Sequence, residues 1–439
     1  MLEISVEIRE VLDILTNQGY EAYLVGGYVR DAIQHHNTSD IDICTNAKPP
    51  VLHELFEHFK PSEVGLDYGV KFNYGESSFE ISTMRQEMTY SDQRHPDTVI
   101  FIDDIRLDAM RRDFTVNALY YHPDKGLFDF FGGKQDIESK VLRVIGDPLT
   151  RLHEDSLRIV RLFRFKSELD YAFDPETISA AYELMDTLHT IHPMQLKEEL
   201  TRYLCGPSFH VTSHDYPWFL GSLFPEVANM IDYDQQNPYH TMNLYDHSIT
   251  VTQQLPLTLG HRLVGLFHDT GKVCVQTMDA AGIAHYGGHA TASATIAHPY
   301  FLEFQFTKEE IAYFTELILN HGLSIQPVLA DFQRLIGQYG VAWVYDLITL
   351  KRADNLAKSD KAAYQVERCA HFKAIVDTII DQGLPTTTKD LAINGHDLRD
   401  AGVKPHDIGK RLHALLDAVI DGKVLNEKDK LLNMSLEEL

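Results

Sequence analysis

The chain of 439 residues reads as an α+β protein, with a mixed-sheet unit over residues 1 to about 145 followed by helices to the end. Three observations lead there. Before residue 145, short runs alternate apolar and polar side chains with the period of a strand. From Asp147 onward apolar residues recur at helical spacing, punctuated by Pro148, Pro175, Pro193, Pro207 and Pro217. No apolar run approaches the ~20 residues that cross a bilayer.

The elements follow in order. Met1 to Gly19 reads as one amphipathic helix, with Leu2, Ile4, Ile8, Val11, Leu12 and Leu15 near one stripe and Gly19 as its stop. Tyr23–Val25 is a short apolar strand, and Val29–Ile33 resumes helical spacing. Asp40 and Asp42 alternate with Ile41 and Ile43, which predicts a strand. Further strands are expected near Val70–Tyr74, Phe79–Thr83, Val99–Ile102 and Leu127–Phe130. Trp218–Lys272 and Glu309–Ala370 read as long helical stretches separated by an irregular segment, Val273–Gly288. Pro385 and Thr386–Thr388 mark a boundary before a last helical segment, Asp390–Leu432. The boundaries fall near 145, 205 and 385.

Composition narrows the function. The net charge of −25 argues against non-specific nucleic-acid binding. The charge is uneven: residues 1–100 carry 17 acidic and 7 basic side chains, residues 351–439 carry 15 and 14. A polyanion could therefore be held locally by a few placed contacts. The acidic, helix-periodic N-terminus is neither a signal nor a transit peptide, so a cytoplasmic location is expected. Cys44, Cys205, Cys274 and Cys369 are scattered and form no CxxC pair, which reads as reduced structural cysteines.

The stretch "YLVGGYVRDAIQHHNTSDIDICT" places Gly26-Gly27 after a strand and at the start of a helix. Such a turn lets the backbone approach a phosphate, and the helix start offers free N–H groups. Asp40 and Asp42 stand i,i+2 on one strand face. The pair is either an ordinary exposed polar face or a site for divalent cations such as Mg²⁺. In "RRDFTVNAL", Asp113 and Asn117 are i,i+4 and could reach one ribose, with arginines beside them for phosphate; ordinary ion pairs at a helix start are the alternative. In "RLHEDSLRIVRLFRF", Asp155 and Arg158 are i,i+3 on one expected helix face, with Arg161 a turn on. They form either a salt-bridged helix or a reader of a base edge.

Taken as an ordered set, "LVGGYVRD", "SDIDICT", "MRRDFTVNAL", "FDFFGGKQDI" and "EDSLRIVRLFRF" resemble the class II tRNA nucleotidyltransferases, the CCA-adding enzymes, over about residues 20–170. "EISTMRQEMTYSDQRHPDTVIFIDDI" resembles that family's flexible loop, and "LAINGHDL" and "IGKRLHALLDAVIDGKVLNEKDKLL" its tail. The resemblance implies a nucleotidyltransferase head (1–145), a helical neck that reads the base (146–205), a helical body (206–385) and a tail that contacts tRNA (386–439). It implies that Asp40 and Asp42 are catalytic and bind two Mg²⁺ ions. Gly26, Gly27 and Arg30 would hold the triphosphate. Arg112, Asp113 and Asn117 would contact ribose and phosphate, and Asp155 and Arg158, with Arg161 nearby, would select CTP or ATP. The tRNA 3′-hydroxyl would attack the α-phosphate and release pyrophosphate. The chain departs from the family's common pattern at Asp67-Tyr68-Gly69-Val70 and at Lys404-Pro405-His406. It shows none of the long basic extensions of poly(A) polymerases. Keeping Tyr90–Phe101 favours full CCA addition over CC addition, with an A-adding specialist left open.

A second set lies in "YHTMNLYDHS", "LFHDTGK", "YGGHATASA", "LNHGLS" and "LKRADNLAKS". Imidazole with carboxylate suits divalent transition metals. The alternative is a group of buried histidines satisfied by backbone carbonyls. The ordered set resembles the HD phosphohydrolase superfamily, which implies His247, His268, Asp269 and Asp354 as ligands of one ion and His289 and His321 as holders of a second. Mn²⁺, Co²⁺, Ni²⁺, Fe or Mg²⁺ would fit, and Lys272 could assist a phosphate. Three functions result: CCA addition with an accessory HD domain, an HD phosphohydrolase whose N-terminal part only binds RNA, and a non-enzymatic tRNA-binding factor. The expected partners are tRNA, CTP and ATP, with no membrane; monomer and homodimer both stay open.

Overall fold

The computed structural model describes residues 2–64, 68–88 and 98–437. Asp67 and most of the loop expected over Tyr90–Phe101 lie outside the described residues. The chain forms two compact units, Met1–Thr212 and Ser213–Leu439. The first carries a mixed sheet and the second is mainly helical, as the sequence predicts.

In the first unit a helix α1 (Val6–Thr16) leads into the sheet. It is shorter than its periodicity suggests, because the Ser5 hydroxyl accepts the Ile8 N–H at 3.3 Å and starts the helix there. Its stripe of Ile8, Val11, Leu12 and Leu15 is buried. Strands β1 (Ala22–Val25), β2 (Asp40–Thr45), β3 (Ser62–Val64), β4 (Gly69–Tyr74), β5 (Ser77–Thr83), β8 (Leu119–His122) and β9 (Gly126–Asp129) form one sheet, in the order β3-β4-β5-β2-β1-β8-β9. All neighbours are antiparallel except β2 and β5, which run parallel. The strand expected at Val99–Ile102 is not part of this sheet. As β7 (Thr98–Phe101) it pairs with β6 (Arg85–Met88) in a separate two-stranded ribbon.

The helices of this unit that matter for the site are α2 (Gly26–Ile33), α4 (Ile105–Met110), α6 (Pro148–Glu154), α7 (Leu157–Leu169) and α9 (Pro193–Cys205), with α3 (Pro49–Leu55), α5 (Gly133–Ser139) and α8 (Pro175–Glu183) between them. The core beneath β1 and β8 gathers Tyr23, Val25, Cys44, Ala118 and Tyr120.

In the second unit the expected long helical stretches are broken. Trp218–Lys272 divides into Pro217–Leu223, Pro225–Ala228, Leu244–Gln253, Leu259–Phe267 and the start of Lys272–Val275. Glu309–Ala370 divides into Lys308–Asn320, Leu329–Tyr339, Val341–Leu356 and the first part of Ala363–Asp381. Pro327, which cannot donate, and Gly340, at φ +86°, interrupt the second stretch. The irregular segment holds a short hairpin, Thr277–Met278 with Ala284–His285. The last three helices, Gly395–Asp400, Ile408–Ile420 and Lys428–Glu437, close over Leu398, Leu415 and Leu431. Among the described residues no helix is long and apolar enough to cross a membrane.

Ile41 and Ile43 point from β2 into the core, both essentially buried, while Asp40 and Asp42 occupy the other face. Because strand faces alternate, the two isoleucines fix the register that presents the two aspartates. Truncating Ile43 to Ala should cost about 2–5 kcal/mol, read as a lowered midpoint of urea unfolding.

Candidate active site and metal centre

Strand β1 runs directly into α2, and Gly26 makes the turn at φ +71°. A Cβ at this position would be strained by that φ and would stand 2.6 Å from Oδ2 of Asp42, so glycine leaves the carboxylate where it is. The next residue, Gly27, donates its backbone N–H to the same carboxylate. The glycine turn and the aspartate pair are therefore one structure.

The parallel register of β2 and β5 sets Asp40 opposite Ser78 and Asp42 opposite Glu80. Glu80 is a third carboxylate at this place, and sequence reading did not find it. Burial, then the Glu80 charge, push the Asp42 carboxyl up to about 6, against the opposing pull of Arg112. Clustered carboxylates of this kind, with oxygen donors only, suit a hard divalent cation. Asp40, Asp42 and Glu80 line a cleft of about 1140 Å³, together with Arg30, Arg112 and Arg161.

The remaining predicted residues of this unit border the same cleft. Arg30 is buried, with Nε on Asp31 and Nη1 on the Asn117 side-chain oxygen, both at 2.8 Å. Asn117 in turn reaches Asp113 Oδ1 at 3.4 Å. The expected helix face for this pair is instead a 3₁₀ turn, Thr115–Asn117, which still brings the two side chains together. Arg161 places Nε 2.8 Å and Nη2 2.5 Å from Asp113 Oδ2. Burial alone would raise the Asp113 carboxyl, but Arg161 and the Phe114 N–H hold it down to about 2.

Asp155 and Arg158 do not share a helix face. Asp155 caps the end of α6 in an extended conformation, and α7 begins only at Leu157. The chain breaks here because the Asp155 carboxylate accepts the Leu157 N–H at 3.1 Å and competes with a continuous helix. Arg158 lies within α7, with Nη1 on the Arg151 carbonyl at 2.6 Å and on Glu154 at 3.0 Å. Both side chains are buried at the cleft wall.

The second unit brings its six predicted residues together in two groups. One is His247, His268, Asp269 and Asp354; the other is Asp269, His289 and His321. His247 Nε2 lies 3.4 Å from Asp269 Oδ2 and 3.2 Å from Asp354 Oδ1. His268 Nε2 lies 3.3 Å from Asp269 Oδ2. On the other side, Nε2 of His289 and His321 lie 3.3 and 3.4 Å from Asp269 Oδ1. Asp269 thus faces both groups. Every imidazole turns Nδ1 to a backbone carbonyl: Ala357 for His247, Gly265 for His268, Tyr286 for His289 and Ile318 for His321. A carbonyl only accepts, so each Nδ1 carries a proton and each Nε2 is the atom turned inward.

Burial lowers His268 and His289, which stay neutral, whereas at His247 the effect of burial is outweighed by Asp269 and Asp354, which raise it. Burial alone would raise Asp269 and Asp354, yet Lys272 and Lys358 hold them well below the usual carboxylate range. These lysines lie 2.6 and 2.5 Å from Oδ2 of the two aspartates. Neutral imidazoles with ionised carboxylates are the state in which such side chains bind a transition metal. Nε2 of His247 and His268 and Oδ1 of Asp269 and Asp354 are buried without a hydrogen-bond partner, which is costly unless a cation takes them.

The head sheet with its carboxylate cleft defines the class: residues 22–143 match the model of the poly(A) polymerase head domain. Residues 342–434 match that of a putative second domain of tRNA nucleotidyltransferase. A CCA-adding enzyme of Levilactobacillus brevis is 30% identical over 96% of this chain and 95% of its own length. One of Limosilactobacillus reuteri is 38% identical over 45% of this chain and 49% of its own. Among solved structures, the Bacillus stearothermophilus CCA-adding enzyme in complex with CTP superposes with a TM-score of 0.69 at 21% identity, covering 99% of this chain and 98% of that one. The Thermotoga maritima CCA-adding enzyme complexed with tRNA gives 0.60 at 20% identity, covering 99% and 96%. The chain belongs to the family of class II tRNA nucleotidyltransferases, the CCA-adding enzymes.

The raised Asp42 carboxyl has a sign that can be checked. Ionised above about pH 6, it weakens the metal-free fold, and protonation removes that penalty as pH falls towards its unfolded value near 4. In the absence of divalent cations, Asp42→Asn should therefore be more stable than the parent at pH 7.5, by about 1–2 kcal/mol. The gap should close by pH 4, measured by chemical unfolding across that range.

Proposed function

We propose that this chain adds C, C and A to the 3′ end of tRNA from CTP and ATP. The observation that carries the reading is the fusion of the Gly26 turn with the Asp42 carboxylate inside a cleft walled by arginines. Asp40, Asp42 and Glu80 would hold Mg²⁺, which when bound neutralises the triphosphate and activates the attacking oxygen. Gly26 and Gly27 let the triphosphate approach the start of α2, and Arg30 and Arg112 face its charge. Arg30, fixed by Asp31 and Asn117, cannot swing away from that position. Asn117 and Asp113 offer an acceptor and a donor set for the ribose. Asp155 and Arg158, both locked by local backbone, would present a fixed pattern to the base. The 3′-oxygen of tRNA forms a bond to the α-phosphorus as the bond to the bridging oxygen breaks, and pyrophosphate leaves. Positioning and charge neutralisation account for the rate. The four-part division at 145, 205 and 385, with base reading in the neck and tRNA contact in the tail, belongs to this proposal, as does a cytoplasmic setting.

The test is incubation with tRNA lacking its terminal CCA, with CTP and ATP supplied separately and together. CTP alone should extend by two residues and the mixture by three. Asp40→Ala and Asp42→Ala should each lower the rate by at least a thousandfold. Incorporation of A alone, onto tRNA already ending in CC, would make the protein an A-adding specialist.

A second activity, metal-dependent phosphohydrolysis in the second unit, is favoured by one observation. Nε2 of His289 and His321 face each other at 3.1 Å, both with their protons committed elsewhere. Two lone pairs at this distance repel unless a cation or a proton lies between them. The six ligands would hold Mn²⁺, Co²⁺, Ni²⁺, Fe or Mg²⁺, and Lys272 would face a phosphate. Purified protein should carry close to two transition-metal ions by elemental analysis. His268→Ala should lose metal and any hydrolysis of 2′,3′-cyclic phosphates while keeping nucleotide addition.

A further inference from the structure

Asp108, on α4, takes no part in the chemistry described above. It is fully buried, and its two oxygens divide their donors between two structures. Oδ1 accepts the backbone N–H of Arg85 at 3.0 Å and Nε of Arg111 at 2.8 Å. Oδ2 accepts from Nη2 of Arg112 at 3.4 Å, the Tyr120 hydroxyl at 2.5 Å and Sγ of Cys44 at 3.4 Å.

The first set lies at the base of the β6–β7 ribbon. Arg85 begins β6, and its Nε lies 2.7 Å from Glu87, which in turn lies 3.7 Å from Nη1 of Arg111. The second set fixes Arg112. Its Nε donates to the Tyr120 hydroxyl at 2.9 Å while Nη2 is held by Asp108, so two of its three nitrogens are set. The guanidinium plane cannot turn, and its charge acts on Asp42 in the cleft. Arg111 and Arg112 are adjacent like charges, and the Asp108 carboxylate is what both of them share.

We propose that Asp108 is a positioning residue for nucleotidyl transfer. One buried carboxylate aims Arg112 at the triphosphate and, through its other oxygen, holds the base of the β6–β7 ribbon at a fixed place beside it. An asparagine here would keep the shape and could still accept from Arg85. It would lose the charge that holds two arginines side by side. The inference rests on the reading of Arg112 as a triphosphate contact.

The experiment is a double-mutant cycle on the full chain, with ATP added to tRNA ending in CC. Asp108→Asn should lower kcat/KM for ATP by tenfold or more. The pair Asp108→Asn with Arg112→Lys should be no more than about twofold worse than Arg112→Lys alone, because both act through one guanidinium. Losses that multiply would overturn the proposal, as would a lowered Tm with unchanged kinetics. Should Asp108→Asn fail to fold, Tyr120→Phe keeps the carboxylate and removes one partner of Arg112. It should cost several-fold in kcat/KM, again not multiplying with Arg112→Lys, and unchanged kinetics would overturn the idea. Equilibrium binding of Mg·ATP, followed by fluorescence, should show the same coupling. That readout separates the fate of this inference from the fate of the adding activity, since it works even with a wild type that adds nothing.

Discussion

A side chain at residue 26 would displace the carboxylate at residue 42 from where it stands: a Cβ on Gly26 would sit 2.6 Å from Oδ2 of Asp42. This contact ties the turn after β1 to the face of β2, and much of the head is arranged around it. The buried isoleucines of β2 fix which face carries the aspartates. The parallel pairing with β5 adds Glu80 to that face, and the arginines from later segments close the cleft. Acidic and basic side chains thus line one cleft together, beside the backbone of the Gly26 turn.

Local periodicity explains why part of this was legible in the sequence. Strand alternation predicts that Asp40 and Asp42 share a face, and the glycine pair before a helical pattern predicts the turn. Glu80 was not legible, because its place beside Asp42 depends on the register between β2 and β5. That register is set by a crossover through α3 and the β3–β4 hairpin. Asp155 and Arg158 show the opposite failure. Their spacing fits one helix face, but an aspartate can bond its own downstream N–H, and here it does, ending α6 and starting α7 afresh. Asp113 and Asn117 meet as expected, though through a 3₁₀ turn. The histidines and aspartates of the second unit were legible as an ordered set. Their convergence followed only from the family resemblance and from no local pattern, since Asp354 and His247 come from helices a hundred residues apart.

The two units answer the same electrostatic problem with different chemistry. In the head, three carboxylates crowd together with oxygen donors only, and arginines line the same cleft. In the second unit, four imidazoles surround two carboxylates, each of which already has a lysine at hydrogen-bond distance. The first arrangement suits a hard ion. The second suits a softer one.

Three of the four inward-facing histidines satisfy Nδ1 in the same way, on the carbonyl three residues earlier in the chain. The ring orientation is thus encoded by a local turn and does not wait for distant parts of the fold. An ion arriving at such a centre meets three rings already aimed. His247, whose carbonyl partner Ala357 is distant in the chain, has its burial outweighed by Asp269 and Asp354, which raise it, and is the ring that gives up a proton to receive the ion. Capture then releases a proton from His247, and its measured enthalpy should vary with the ionisation heat of the buffer.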